Sequence, residues 1–207
     1  MKLGLGLYRH MLTRENFQFA RQAGATHLVV HLVDYFRDGK HVARDNQPTG
    51  AERGWGRAGD PESLWTVDEL VALRASVNRA GLALEAIENF DPAHWYDVLL
   101  DGPLKRQQLE NLKTLVRRVG EARIPVMGYN FSIAGVAGRV TGPFARGEAI
   151  SVGMDGPFES PMPRGMAWNM VVDEHAPPGF VPPVTHEELW WRHGEFLDEL
   201  APVAEEA

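Results

Sequence analysis

The chain has 207 residues, of which 44% are hydrophobic, and it carries a formal net charge of -7 with no cysteine. This size and composition suffice for one folded domain with its own core. The lack of cysteine excludes disulfides, thiolate metal ligands and cysteine nucleophiles. The acidic balance argues against nucleic acid as a partner, and no apolar run is long enough to span a membrane. We therefore expect a cytoplasmic globular protein.

The first part of the chain predicts two βα units. Residues 2–8 alternate apolar residues with glycine and predict a short strand, and a helix capped by Thr13 follows and ends at Gly24. Residues 26–33 are apolar at nearly every position, which is typical of a strand covered on both faces. The polar, glycine-rich residues 34–63 predict a long loop.

A capping-box pattern opens the second helix. Thr66 and Glu69 have the required spacing, and Gly81 ends the helical periodicity. The third strand is predicted at residues 82–87. A third helix with a leucine and valine stripe follows at residues 104–122.

The final unit completes a regular alternation of strands and helices. A fourth strand is predicted at residues 124–131, a second long loop at residues 135–183, and a last helix that starts at Thr185 with Glu188 in its capping box. The order β-α-β-α-β-α-β-α predicts a parallel α/β sheet. Four units fit either an open doubly wound sheet or half of a (β/α)8 barrel.

Polar side chains interrupt the apolar second and third strands. His27 and His31 are four residues apart and share one face of a strand. Glu85 lies inside the third strand, where it either joins a site or forms an internal ion pair, and Glu88 lies at the carboxyl end. Functional sites of parallel sheets form at the carboxyl ends. Glu88 and His31 are therefore candidates, although His31 could also be a core histidine, and His27 is interpreted as structural.

Further candidates lie after the third strand and at the end of the fourth. Tyr129 and Asn130 could bind a small polar substrate or complete a structural hydrogen-bond network. His94 lies in a loop, where it either takes part in chemistry or is simply exposed.

The other aromatic and histidine residues do not form a recognisable catalytic motif. Four histidines lack zinc-ligand spacing and are interpreted as surface residues: His41, His175, His186 and His193. The neighbouring Trp190 and Trp191 are interpreted as core packing. Spacing alone therefore indicates an α/β protein that acts on a small polar molecule.

A set of motifs between residues 65 and 131 resembles those of a known family. The matching residues are Trp65 before the capping threonine, Ile87-Glu88 ending the third strand, His94 in the next loop, and Tyr129-Asn130-Phe131 ending the fourth strand. In this combination the chain resembles the mannonate dehydratase family.

The resemblance implies a xylose-isomerase-like barrel of the TIM type, of which residues 1–207 would form the amino-terminal half as a single domain. It implies a hydro-lyase that converts D-mannonate to 2-keto-3-deoxygluconate in hexuronate breakdown. The implied cofactor is a divalent metal, manganese or iron, and the implied partner is a small sugar acid. The metal would stabilise the enediolate formed when a base removes the C2 proton, and an acid would help the C3 hydroxyl leave.

The resemblance also suggests where site residues lie. The family's metal ligands, namely His, Cys, His and Asp, belong to later strands, so the metal ligands and the catalytic acid and base are expected beyond residue 207. The substrate-binding candidates that carry over are Glu88, His94, Tyr129 and Asn130. We add His31 and also Arg139, whose guanidinium could bind a sugar-acid carboxylate or stand in solvent.

Two departures from the family keep alternatives open. The residues after Phe131 lack the family's acidic, tryptophan-containing stretch, which motivates a sugar isomerase or epimerase of the same barrel superfamily. The last helix reaches Ala207 without a glycine stop, so residue 207 is interpreted as a truncation point and the chain alone is expected to be inactive. An inactive half-barrel could also pair with a second copy, because an open half-sheet leaves unpaired edges.

Overall fold

Four parallel strands form the central sheet. The computed structural model describes residues 1–35, 56–134, 139–154, 161–168 and 170–207. The strands are β1 (Gly4–Leu7), β2 (His27–Val30), β3 (Ala83–Glu88) and β4 (Val126–Gly128), hydrogen-bonded in the order β1-β2-β3-β4. Every adjacent pair is parallel, which confirms the sheet predicted from the alternation of elements.

In the described part of the chain, five α-helices accompany the sheet: α1 (Arg14–Gln22), α2 (Val67–Arg79), α3 (Tyr96–Leu100), α4 (Lys105–Glu121) and α5 (His186–Glu206). The predicted caps are confirmed, because the side chains of Thr13, Thr66 and Thr185 each accept a backbone N–H bond at a helix start. Helix α3 was not predicted, since five residues are too few to show helical periodicity. No helix in the described ranges combines the length and apolar character needed to cross a membrane.

The second predicted loop contains short antiparallel strands. Strand β5 (Arg139–Gly142) pairs with β6 (Ser151–Met154), and β7 (Met166–Ala167) pairs with β8 (Met170–Val171). Strands of two to four residues show too little alternation of apolar and polar residues to be detected in a sequence rich in glycine and proline. Of the first predicted loop, residues 36–55 lie outside the described part, while Arg57 forms a bridge to Val171.

Helices cover only one face of the sheet. Leu28, Val30 and Ile87 point from the strands into a core shared with α1 and α2, and α3, α4 and α5 enclose a second core. The opposite face has small or polar residues at its amino-terminal end, including Gly4, Gly6, His27 and Glu85, all of them partly or fully exposed. The sheet therefore has one apolar face covered by helices and an opposite face, here called the open face, which is exposed at its amino-terminal end.

The connection before α2 packs closely against the turn that follows β3. The Gly59 N–H donates to Asp91 Oδ1 at 2.9 Å, and the same oxygen accepts the Ala93 N–H at 3.0 Å. A Cβ atom at Gly59 would lie 2.6 Å from Asp91 Oδ2, closer than carbon and oxygen can approach. The absence of a side chain at residue 59 thus allows this contact.

We expect Gly59→Ala to lower the free energy of unfolding by about 1–3 kcal/mol, because the methyl group must displace the Asp91 carboxylate. Gly6→Ala is the matched control, since no atom lies within 4 Å of the position that its Cβ would take. Urea unfolding of both variants measures the difference. Equal stability of the two variants would contradict the close packing.

Candidate functional site

The strand register aligns polar residues at the carboxyl ends of the strands. Leu7 pairs with Val30, and Val30 pairs with Ile87. The residues that follow these three are Tyr8, His31 and Glu88, and Glu88 pairs in turn with Gly128 of β4. We call Tyr8, His31 and Glu88 the polar row.

A β-bulge decides which residue of β3 enters the polar row. The register between β2 and β3 shifts by one residue between Leu28 and Val29, so β3 contains one residue more than β2 over this interval. Regular pairing would place the apolar Ile87 opposite His31, whereas the extra residue places Glu88 there. Bulges reorient side chains in this way next to functional sites.

The bulge also brings both glutamates of β3 onto the open face. Residues three apart in a regular strand point to opposite faces. Here the Glu88 Oε2 atom lies 3.3 Å from His31 Nε2, and the Glu85 Oε2 atom lies 3.5 Å from His27 Nε2. Glu85 also forms an ion pair with Lys2. Of the two interpretations of Glu85, the structure therefore supports the internal ion pair, at the amino-terminal end of the sheet.

His31 is buried and contacts protein groups through both ring nitrogens. Its Nδ1 atom lies 3.2 Å from the Tyr35 hydroxyl, and the Tyr8 ring packs against it with 4.8 Å between ring centres. Burial lowers the pKa of His31, and the neighbouring Glu88 carboxylate opposes that shift. The imidazole is therefore neutral near pH 7.

Two residues outside the predicted set of site residues support His31. Tyr35 follows β2 within the predicted loop, and its hydroxyl accepts a bond from Asn89 Nδ2 at 3.0 Å. Asn89 follows β3 with a φ of 67°, a left-handed conformation that asparagine tolerates better than most residues. Burial raises the pKa of Tyr35 above its usual range. A polar residue directly after a strand is the only sequence signal that could have identified Asn89.

The β7–β8 hairpin covers this group of residues. The Trp168 ring lies 5.5 Å from the Tyr35 ring, and its backbone N–H donates to the Ile133 carbonyl at 2.7 Å. Val33, Tyr35, Trp168 and Met170 form a small buried cluster. Part of the predicted loop 135–183 therefore folds back over the site. The side chain of Glu88 remains 49% exposed and is the accessible end of the polar row.

The remaining predicted site residues do not join the polar row through any described contact. His94 is 2% exposed in the turn Pro92–His94, where burial lowers its pKa and the nearby Asp91 carboxylate opposes the shift. The Tyr129 hydroxyl lies 2.9 Å from His193 Nε2 on α5. Asn130 is exposed two residues after Gly128 of β4.

Arg139 begins β5, and its side chain lies outside the described part of the structure. Its contact with a sugar-acid carboxylate therefore stays a prediction. The substrate-binding roles of His31, Glu88, His94, Tyr129 and Asn130 stay predictions as well.

On helix α5, the histidine and tryptophan side chains differ in exposure from what the sequence predicted. His193 is not a plain surface residue, because its ring packs against Phe131 at 4.8 Å and bonds to Tyr129. Trp190 and Trp191 are 60% and 58% exposed, so their interpretation as core residues is wrong. The helix buries Phe196, and Trp190 lies about a third of a turn away from that buried stripe.

The remaining histidines of that set agree with the prediction where they are described. His175 and His186 are exposed as predicted, and His41 lies outside the described residues.

The fold and the polar row define this chain as an α/β protein of the parallel-barrel type, in which strand ends form the site. The family model for D-mannonate dehydratase (UxuA) matches residues 20–142, more than half of the chain. The chain belongs to the D-mannonate dehydratase family, as its motifs predicted.

Individual relatives match shorter parts. The mannonate dehydratase of Thermotoga neapolitana is 35% identical over 68 residues, and that of Streptococcus pneumoniae is 39% identical over 67 residues. These matches cover 33% and 32% of this chain and 18% of each relative. The solved mannonate dehydratase of Streptococcus suis serotype 2 superposes with a TM-score of 0.59 at 20% identity. This match covers 100% of the chain and 51% of that structure, and it confirms an incomplete barrel.

We expect Glu88→Gln to lower the pKa of His31 further, because the carboxylate is the group that opposes the effect of burial. Glu85→Gln is the matched control, since Glu85 contacts His27 instead. A titration of the histidine ring signals by nuclear magnetic resonance (NMR) measures both variants. A His31 pKa that responds equally to the two substitutions would contradict the contact between His31 and Glu88.

We also expect the free energy of unfolding to fall as the pH drops below about 6.5, the ordinary histidine value. The unfolded chain then takes up protons at His31 and His94 while the folded chain keeps both neutral, so acid favours unfolding. His94→Gln should make this decline shallower, whereas His175→Gln removes an exposed histidine as a control. Urea unfolding at a series of pH values gives the slopes, and an unchanged slope in His94→Gln would refute the assignment.

Proposed function

We propose that this chain supplies the sugar-acid-binding strand ends of a mannonate dehydratase, an enzyme that removes water from D-mannonate to give 2-keto-3-deoxygluconate. The observation that supports this proposal is the polar row, whose Glu88 is exposed at the carboxyl end of β3 in a chain of this family. Strand ends are where barrels of this type bind their substrates.

The chemistry of the row suits a polyhydroxylated ligand. The exposed Glu88 carboxylate is an acceptor for sugar hydroxyl groups, and the exposed Asn130 amide offers both a donor and an acceptor. The carboxylate of a sugar acid would be repelled by Glu88, so it must lie at some distance from the row. Arg139, at the start of β5, is the proposed partner for that carboxylate.

The described residues do not fit a resident metal ion. The resemblance implies manganese or iron, yet no group of three or more His, Cys, Asp or Glu side chains is assembled within the described ranges. His31 and Glu88 would provide only two ligands within the described residues, fewer than a resident metal ion needs. The role proposed for the described residues is therefore to bind and orient the sugar acid.

Binding of D-mannonate to the chain tests the proposal. We expect calorimetry to detect binding, and Glu88→Gln to weaken it about tenfold, because a hydrogen bond to a charged group contributes about 1.5–3 kcal/mol. Glu85→Gln should bind like the unaltered chain, since Glu85 contacts Lys2 and His27 and does not contact His31 in any described ion pair. The proposed binding site would be contradicted if D-mannonate did not bind. It would also be contradicted if the two variants lost the same amount of affinity for D-mannonate.

Product analysis separates the proposed reaction from the alternative one. Because the 207-residue chain alone is expected to be inactive, the assay uses the full-length protein. With D-mannonate and manganese present, a dehydratase forms 2-keto-3-deoxygluconate. A sugar isomerase or epimerase would instead convert its sugar without losing water. An isomerised product would therefore favour the second function.

A further inference from the structure

We propose that Tyr35 is a positioning residue that donates its hydroxyl proton to His31 Nδ1 and so holds the ring with its proton on Nε2, directed at Glu88. The significance of this arrangement for sugar-acid binding depends on the proposed function. The hydrogen-bond arrangement itself is independent of it.

On the Nε2 side of the His31 ring, the Glu88 Oε2 atom lies 3.3 Å away. An ionised carboxylate can only accept hydrogen bonds, so it favours the form of the neutral imidazole that carries its proton on Nε2.

The Nδ1 side of the His31 ring faces the Tyr35 hydroxyl. In a neutral ring protonated on Nε2, Nδ1 is an acceptor, and the Tyr35 hydroxyl lies 3.2 Å from it. The amide nitrogen Asn89 Nδ2 lies 3.0 Å from the same hydroxyl oxygen and can only donate to it. The oxygen therefore acts as the acceptor for Asn89, while the hydroxyl proton serves His31.

These contacts form a directed series in which Asn89 donates to Tyr35, Tyr35 donates to His31, and the His31 N–H points to Glu88. Asn89, Tyr35 and His31 are all buried, whereas Glu88 is half exposed. A buried series with every donor directed the same way cannot reverse at one member without disturbing the next. The series therefore holds the Glu88 carboxylate in place at its exposed end, where a ligand can reach it.

The sign of a pKa change distinguishes this arrangement from its reverse. Tyr35→Phe removes the donor that stabilises the neutral ring, so the His31 pKa should rise towards its ordinary value. If Nδ1 instead donated to the tyrosine oxygen, the same substitution would lower the pKa. Tyr8→Phe is the matched control, because Tyr8 packs against the same ring.

NMR of the histidine ring nitrogens, measured on the 207-residue chain, provides the test. We expect the Nε2-protonated form in the unaltered chain and in Glu88→Ala, where Tyr35 alone holds it, and a mixture of forms in the double variant Glu88→Ala/Tyr35→Phe. A proton on Nδ1 in the unaltered chain, or an unchanged or lowered His31 pKa in Tyr35→Phe, would overturn the proposal.

The unaltered chain and Glu88→Ala suffice for a decision if Tyr35→Phe does not fold. Loss of the Nε2-protonated form in Glu88→Ala alone would show that Tyr35 does not hold the ring. If the ring behaves as expected and D-mannonate does not bind, the proposed function fails while the role of Tyr35 stands.

Discussion

The single extra residue in β3 is the constraint on which the site depends. It converts a strand whose polar residues would alternate between faces into one that directs Glu85 and Glu88 to the same open face. Without it, the apolar Ile87 would stand beside His31 on the polar face, and Glu88 would enter the apolar core. The bulge therefore keeps Glu88 out of the apolar core and at the same time places it in the polar row.

The two faces of the sheet explain why a polar group as buried as His31 is tolerated. Helices α1 and α2 cover the apolar face, so the stability of the sheet does not require apolar side chains on the other face. There the strands carry glycines and paired charges. A buried histidine is costly unless its nitrogens have partners, and Glu88 and Tyr35 supply one on each side.

Local signals in the sequence predicted the elements well but not the geometry between them. Thr66 and Thr185 mark helix starts because a capping box is a contact between near neighbours in the chain. The bulge leaves no such signal, since it is a relation between two strands more than fifty residues apart. His31 was chosen as a site candidate from its position in the strand, and Glu88 from its position together with the family resemblance. Tyr35 was not predicted as a site residue because it lies in the polar, glycine-rich stretch that predicts a loop.

Most of the residues that position Glu88 follow the first three strands. Tyr8, His31 and Asn89 come directly after β1, β2 and β3, and Tyr35 lies a few residues further after β2. The β7–β8 hairpin adds the covering Trp168. The chain covers 51% of the solved dehydratase, yet every described partner of His31 lies within it. The described contacts that fix the geometry of the polar row therefore come from the first three strands, the residues that follow them and the β7–β8 hairpin.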